Sequence, residues 1–492
     1  MGQIFKRGGW WRTVVCCTAV AFVSCNDDDL APDPEEPSEH LEVNNWILEN
    51  MREYYYWNNV IPAEPDKSLD PESFFYSELL NGDYVKEDGE WVYQSGEDKF
   101  SWMQNIDELS DGLSGRFESF GYEVQAYVLQ DNNTIFGRVL YTYRNSPAAE
   151  AGLERGNVIT KVNGQELDRS NYVSLLYGQE QQTLTLGTVN EDFTAINDTA
   201  SLSEISSAEI QEEPVFLDSV YTISGKKIGY LVYNSFIPAP AGSPANATTF
   251  DDQVDDIFGS FKTMGVNELV LDLRYNLGGS IASAANLASL ISPSGVNSED
   301  IFALYEWNQD IEDSQSDNNE FQESKRVHFR NEANKLNTLQ KIYVLVSRRT
   351  ASASELIING LRPYMEVVTI GDENTLGKNV GSVTIEDEEG EIEWGLQPIV
   401  IKIYNSENQS DYANGFAPNH RVDENWLLFG DINESFLGEA LNLITGGGVI
   451  TSTESLRKTG AVARGRMVGT SLDRKPGAGE MYVEPSELPV VE

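Results

Sequence analysis

The sequence predicts a multidomain α+β protein: a small N-terminal helical domain, then a β-rich domain, then an α/β core. Three observations predict it. The chain has 492 residues, more than one core of ordinary size accommodates, so two or three folded units are expected. Apolar residues recur at helical spacing after Val43 and at strand spacing after Gly115. From Lys227, short apolar runs alternate with helical patterns, which is how an α/β sheet is written. Hydrophobic residues make up 40% of the chain and aromatics 10%, enough to fill such cores. The formal charge of −45 excludes a polyphosphate partner, because nucleic-acid binding needs a basic face.

The elements follow in order. Lys6, Arg7 and Arg12 precede an apolar run from Thr13 to Val23, too short to cross a bilayer and suited to a secretory leader. Residues 1–24 are therefore read as a signal peptide. The junction Phe22-Val23-Ser24-Cys25 resembles the lipobox of bacterial lipoproteins, and by that resemblance Cys25 is the lipid-bearing residue and the membrane anchor. All three cysteines lie within the first 25 residues, so the exported body has neither a disulfide nor a thiol nucleophile. Residues 25–40 are acidic and Pro-rich and are expected to form a tether. The run Asn26-Asp27-Asp28-Asp29 resembles the acidic export signal of Bacteroides-like lipoproteins, which implies an outer-membrane lipoprotein at the cell surface, with the periplasmic face as the alternative. An acidic run is more often just a solvated tether.

Residues 41–110 are assigned to the helical domain. Ile47, Met51, Tyr54 and Tyr55 make one apolar stripe, and Asp70-Pro71 is an N-cap followed by a first-turn proline. Residues 111–200 are assigned to the β-rich domain. Its strands Tyr122 to Leu129 and Ile135 to Tyr143 flank an Asp131-Asn132-Asn133 turn. A helix from Pro147, a stop at Gly152, a strand around Val158 to Val162 and an Asn163-Gly164 turn follow. This string, residues 146–167, resembles a PDZ domain. The resemblance implies a groove closed by a helix near Ser170 to Tyr177, in which a peptide adds as a strand, with Gly121 and Tyr122 in the carboxylate-binding loop.

Residues 201–445 are assigned to the α/β core. Lys341 to Ser347 reads as a buried strand, Ala353 to Arg362 as a helix stopped by Pro363, and Glu366 to Gly371 as a second strand. A right-handed crossover makes the two strands parallel, so Ser352 and Lys378, 26 positions apart, emerge on one edge of the sheet. The segment Glu268 to Leu287 repeats the pattern, and its Gly278-Gly279 turn opens on the same edge. Backbone N–H groups of Gly278, Gly279 and Ala353 are candidate donors to a developing oxyanion. Ser352 has a second reading as a helix cap, since Ser352 and Glu355 have capping-box spacing. His40, His328 and His420 do not stand where a triad would put them. Lys378, in the uncharged stretch TLGKNVGSV, is the alternative base. The sequence contains neither a zinc-ligand constellation nor a P-loop, so no cofactor and no metal is expected.

The run Thr350 to Glu355, the pair Gly377-Lys378, the upstream Asp272 to Gly279 and the PDZ-like string together resemble the carboxyl-terminal processing, or tail-specific, peptidases, over residues 41 to 435. That resemblance implies a serine endopeptidase core of the ClpP/crotonase-like type. It makes Ser352 the nucleophile, Lys378 the general base, Gly278, Gly279 and Ala353 the oxyanion hole, and the C-terminal regions of polypeptides the substrates. Two departures stand out. The family often carries a glutamine four residues after the lysine, where this chain has Ser382; and the serine-to-lysine spacing is one residue longer, the extra residue lying in Asp372-Glu373-Asn374-Thr375. Residues 446–492, rich in Gly, Ser and Pro without a firm period, are read as a flexible tail.

Overall fold

The computed structural model describes residues 40–80, 83–87, 90–95, 97–447 and 465–489. The leader, the lipobox Cys25 and nearly all of the acidic tether lie outside the described residues. Among those described, no helix is long and apolar enough to cross a membrane.

Helix Leu41–Tyr54 buries Ile47 and Met51 of the predicted stripe together with Leu48; Tyr55, just past its end, is also buried, and Tyr54 is partly buried. The Asp70 carboxylate accepts the Ser73 N–H at 3.1 Å and caps Pro71–Ser77, whose Phe74 and Phe75 are fully buried. This first region is less purely helical than its sequence suggests. It contains a hairpin, Asp83–Glu87 with Glu90–Ser95, and a strand, Trp102–Asn105, that pairs antiparallel with Trp394–Gln397 of the core. That four-residue strand has its partner almost three hundred positions away, and no local period announces such a pairing.

The β-rich region is a seven-stranded sheet. Its order is Ile196–Ser201, Leu184–Val189, Val158–Val162, Gln165–Asp168, Thr134–Thr142, Tyr122–Val128 and Arg466–Thr470. Val124, Ala126, Ile135, Val139 and Ile159 fill its own core, and helix Tyr172–Leu176 closes one side.

The α/β core is built on a six-stranded sheet ordered Val215–Ile223, Lys226–Tyr233, Glu268–Asp272, Lys341–Val346, Glu366–Gly371 and His420–Arg421. Only the first pair is antiparallel. Strand alternation sends Leu231, Leu269, Leu271, Val344 and Val346 to one face, under helices Thr249–Met264, Ile281–Ile291 and Ala353–Leu361. It sends Tyr230, Val232, Val270, Leu345 and Ile370 to the other, under helix Ser435–Thr445. Both faces are covered, which is why these strands read as continuous apolar runs. A second six-stranded sheet lies beside the first, in the order Gly279–Ser280, Met481–Val483, Val380–Val383, Ile399–Tyr404, Ile301–Glu306 and Arg326–His328.

Two strands in these lists correct the reading of residues 446–492 as a flexible tail. Residues 465–489 are ordered: Arg466–Thr470 is an edge strand of the β-rich sheet, and Met481–Val483 lies between two strands of the core. The reason is physical. Strands of five and three residues separated by Pro and Gly carry no readable period, and their stability comes from the edges of distant strands.

Candidate active site

Three loops meet at the C-terminal ends of the parallel strands. The turn after Glu268–Asp272 is stitched to the loop before helix Ala353–Leu361. Thr350 Oγ1 donates to the Leu273 carbonyl at 2.8 Å, the Ala351 N–H to the Asn276 carbonyl at 3.1 Å, and Ser354 Oγ to the same carbonyl at 3.2 Å. The third loop joins through the Leu376 N–H, which donates to the Thr350 carbonyl at 3.0 Å. Beneath the turn, the buried Arg274 guanidinium pairs with Asp272, Glu424 and Glu434. Burial alone would raise the Glu434 carboxyl, but the adjacent Arg274 outweighs it and holds it down at about 2.

Glu355 is the clamp of the site. Its Oε2 accepts the backbone N–H of Ser352 at 3.0 Å and that of Lys378 at 2.8 Å, so one oxygen atom joins the backbones of the two predicted residues, while the Lys378 amine donates to Glu480 and makes no hydrogen bond to the Ser352 hydroxyl. Its Oε1 accepts Thr375 Oγ1 at 2.5 Å and the Gly377 N–H at 2.7 Å. Burial pushes the Glu355 carboxyl up to about 7, against these four donors, which favour its charged form.

Ser352 has the backbone of a strained turn, with φ 64° and ψ −120°, a conformation that a non-glycine residue holds only when its surroundings impose it. Ser352 and Glu355 are placed as a capping box, with the Ser352 N–H donating to the Glu355 carboxylate; the buried Ser352 hydroxyl faces the Glu355 N–H without completing a hydrogen bond of good geometry. A plain helix cap would use that oxygen. Gly278 stands directly against it, with φ 118°; a Cβ there would lie 2.6 Å from Ser352 Cβ and 3.0 Å from its Oγ, so no other residue fits.

Lys378 is fully buried, its Nζ 4.9 Å from the centroid of the Phe100 ring and 3.1 Å from Glu480 Oε2. Ser382, in the place of the expected glutamine, donates to Glu480 Oε2 at 2.7 Å and accepts from Gln397 Nε2 at 2.9 Å. Trp102 Nε1 donates to Glu480 Oε1 at 3.0 Å. Of the predicted oxyanion donors, the Gly278 N–H is engaged by Asn276 Oδ1 at 2.9 Å and the Gly279 N–H by the Glu480 carbonyl at 2.6 Å, while Ala353 is the first residue of the serine helix. His328 faces Glu323 and His420 faces Glu439, so neither serves Ser352. Sequence reasoning missed Glu480, Gln397, Phe100 and Trp102, all of which arrive from distant strands and loops. Among the described residues, no group of three or more His, Cys, Asp or Glu is placed to hold a metal ion.

In the β-rich region, Gly121 (φ 87°) turns the chain against Ser146, and Tyr122 is buried with its hydroxyl donating to Gln182 at 2.7 Å. Both lie at the start of Tyr122–Val128. Arg155 of this region donates to the Tyr275 hydroxyl at 3.0 Å and pairs with Glu424, fastening the region to the turn beneath the site.

The family model for peptidase family S41 matches residues 227–422, that for the peptidase S41 N-terminal domain residues 42–102, and that for a PDZ domain residues 138–189. A crystal structure of a protein assigned as an S41 protease from Bacteroides fragilis NCTC 9343 is 30% identical, with a TM-score of 0.66, over 82% of this chain and 97% of that one. The chain belongs to peptidase family S41. Among named relatives, a CtpA-like serine protease of Staphylococcus aureus (strain COL) is 25% identical over 70% of this chain. A CtpA-like serine protease of Staphylococcus haemolyticus (strain JCSC1435) is 24% identical over the same share. The chain spans 63% and 62% of the length of these two relatives. The S41 peptidase core is thus the α/β region that carries Ser352 and Lys378, and the β-rich region carries the PDZ domain.

Proposed function

We propose that this S41 member is a serine endopeptidase of the carboxyl-terminal processing type, with Ser352 as nucleophile and Lys378 as general base. The observation that carries the proposal is a buried, unpartnered serine hydroxyl on a strained turn, in a residue whose backbone is joined to that of the buried Lys378 through one oxygen of Glu355. In the reaction, the neutral Lys378 amine takes the Ser352 proton as Oγ bonds to the scissile carbonyl carbon. The oxyanion is held by the N–H groups of Gly279 and Ala353. Collapse breaks the C–N bond, and the proton passes from Lys378 to the leaving amine. Water, deprotonated by the same amine, then releases the acyl group from Ser352.

Substrates are exported polypeptides whose C-terminal regions enter the PDZ groove, and Cys25 anchors the protein in the outer membrane. The leader and lipobox residues support the anchor; mass spectrometry of the N-terminal peptide, with acyl chains on Cys25, tests it. A second reading, a peptide-binding lipoprotein without turnover, is favoured by the Lys378–Glu480 pair, because an amine engaged as the cation of an ion pair has no lone pair to offer. One experiment separates them. A serine-reactive phosphonate that labels Ser352, together with fragments of an unfolded protein made by wild type and not by Ser352→Ala, supports the peptidase. Equal fragments from both proteins sink it.

A further inference from the structure

Residues 466–483 trace one path through both recognition sites of the protein. Arg466–Thr470 lies antiparallel on Tyr122–Val128, with Arg466 opposite Val128 and Thr470 opposite Gln125. On its other side the Tyr172 hydroxyl of helix Tyr172–Leu176 donates to the Val468 carbonyl at 3.2 Å. This is strand addition in the PDZ groove, running toward the Gly121 loop. The chain does not end there. Ser471 Oγ accepts the Val124 N–H at 2.8 Å and donates to Glu123. Asp473 pairs with Arg349, and Lys475 with Glu212.

The same segment then enters the cleft. The Glu480 carbonyl takes the Gly279 N–H at 2.6 Å, a donor proposed for the oxyanion. Met481–Val483 continues as a strand parallel both to Gly279–Ser280 and to Val380–Val383, with Met481 and Val483 buried. The Glu480 carboxylate collects Trp102, Ser382 and Lys378. A backbone carbonyl on an oxyanion donor, next to the serine, is the posture of a substrate. The carboxylate on Lys378 is what a substrate must not bring, since it occupies the base.

We infer that the PDZ groove and the catalytic cleft form one continuous strand-binding surface, whose resident in this structure is the protein's own residues 466–483 acting as a pseudosubstrate through Glu480. The partner that replaces it is a single extended polypeptide, read first in the groove and then, ten positions further toward its C-terminus (Thr470 to Glu480), in the cleft. A residue without a carboxylate at the second point leaves Lys378 free to act. Because the resident continues past the Gly121 loop, the groove accepts internal segments. This inference rests on the reading of Ser352 and Lys378 as the reacting pair.

The test uses the mature chain, a form ending at Arg464, and full-length Glu480→Gln. Phosphonate labelling of Ser352 and cleavage of β-casein are followed in each. The expected result is at least a tenfold faster labelling and cleavage in the shortened form, and a smaller rise in Glu480→Gln. A synthetic peptide of residues 466–489 restores inhibition of the shortened form, and the same peptide with Glu480→Gln inhibits at least tenfold less. If the shortened form fails to fold by thermal melting, Glu480→Gln decides alone. Equal rates in wild type and Glu480→Gln overturn the inference and leave the peptidase standing. A loss of activity in Glu480→Gln with an unchanged melting temperature also overturns it, making Glu480 a positioning residue for Lys378. No labelling of Ser352 in any form sinks the peptidase reading itself.

Discussion

Two buried charge clusters lie within this core, and they differ in what holds their partners. Arg274 is saturated by Asp272, Glu424 and Glu434, which belong to the peptidase core, and the PDZ domain adds Arg155 to Glu424. Among the described residues Lys378 has a single carboxylate partner, and that carboxylate belongs to Glu480, the residue immediately before the three-residue strand Met481–Val483. Beside it, the Ser352 hydroxyl is left with no partner at all. A charge neutralised by its own framework serves the fold; we propose that a charge neutralised by a separate short segment, near an unsatisfied nucleophile, is exchangeable.

That contrast is open to measurement. The largest effect is expected for Ser352→Ala, which removes only an unpartnered oxygen: cleavage should fall by roughly 10⁴-fold or more with little change in denaturant midpoint. A comparable loss of stability would erase the distinction between the clusters. Arg274→Met should do the reverse, costing on the order of 3–5 kcal/mol in urea unfolding because three carboxylates are left buried with fewer partners. Acid should report on the same cluster. Glu434 titrates near 2 when folded and at about 4.5 in its ordinary state, so its stabilisation is complete above about pH 4.5 and is lost as pH falls toward 2. A difference from about 4.5 to about 2 corresponds to roughly 3 kcal/mol, and Glu434→Gln should flatten this part of the acid unfolding curve. A smaller loss of stability than for Arg274→Met is expected for Gly278→Ala, about 1–3 kcal/mol from positive φ and crowding. Its added methyl group points at Ser352, so phosphonate labelling should fall far more than stability does.

Much of this arrangement was legible in the sequence. Lys341–Val346 and Glu366–Gly371 are buried on both faces and therefore read as apolar runs, and parallel crossover geometry then requires Ser352 and Lys378 to emerge together. The PDZ turns were legible because Asn163 and Gly164 take positive φ at fixed offsets between strands. Glu480 was not legible. It follows Gly477, Ala478 and Gly479 in a stretch with no period, and its importance exists only once Gly279–Ser280 and Val380–Val383 leave a gap for Met481–Val483. Trp102 and Gln397 were hidden for the same reason, since each reaches the site through the pairing of Trp102–Asn105 with Trp394–Gln397. Ser382 was noticed as a departure, but its role depends on Gln397 and Glu480 together.

The Glu355 carboxylate bears on the extra residue that the family resemblance implies between serine and lysine. Thr375, Gly377 and Lys378 are all tethered to that one carboxylate, while Glu373, upstream of them, is exposed. Of the stretch Asp372 to Thr375 in which that residue was expected, the part around exposed Glu373 can therefore bulge into solvent without altering where the lysine begins. Loop length and reactive geometry are uncoupled at this point, so such a chain can gain or shed a residue there and keep its chemistry in register.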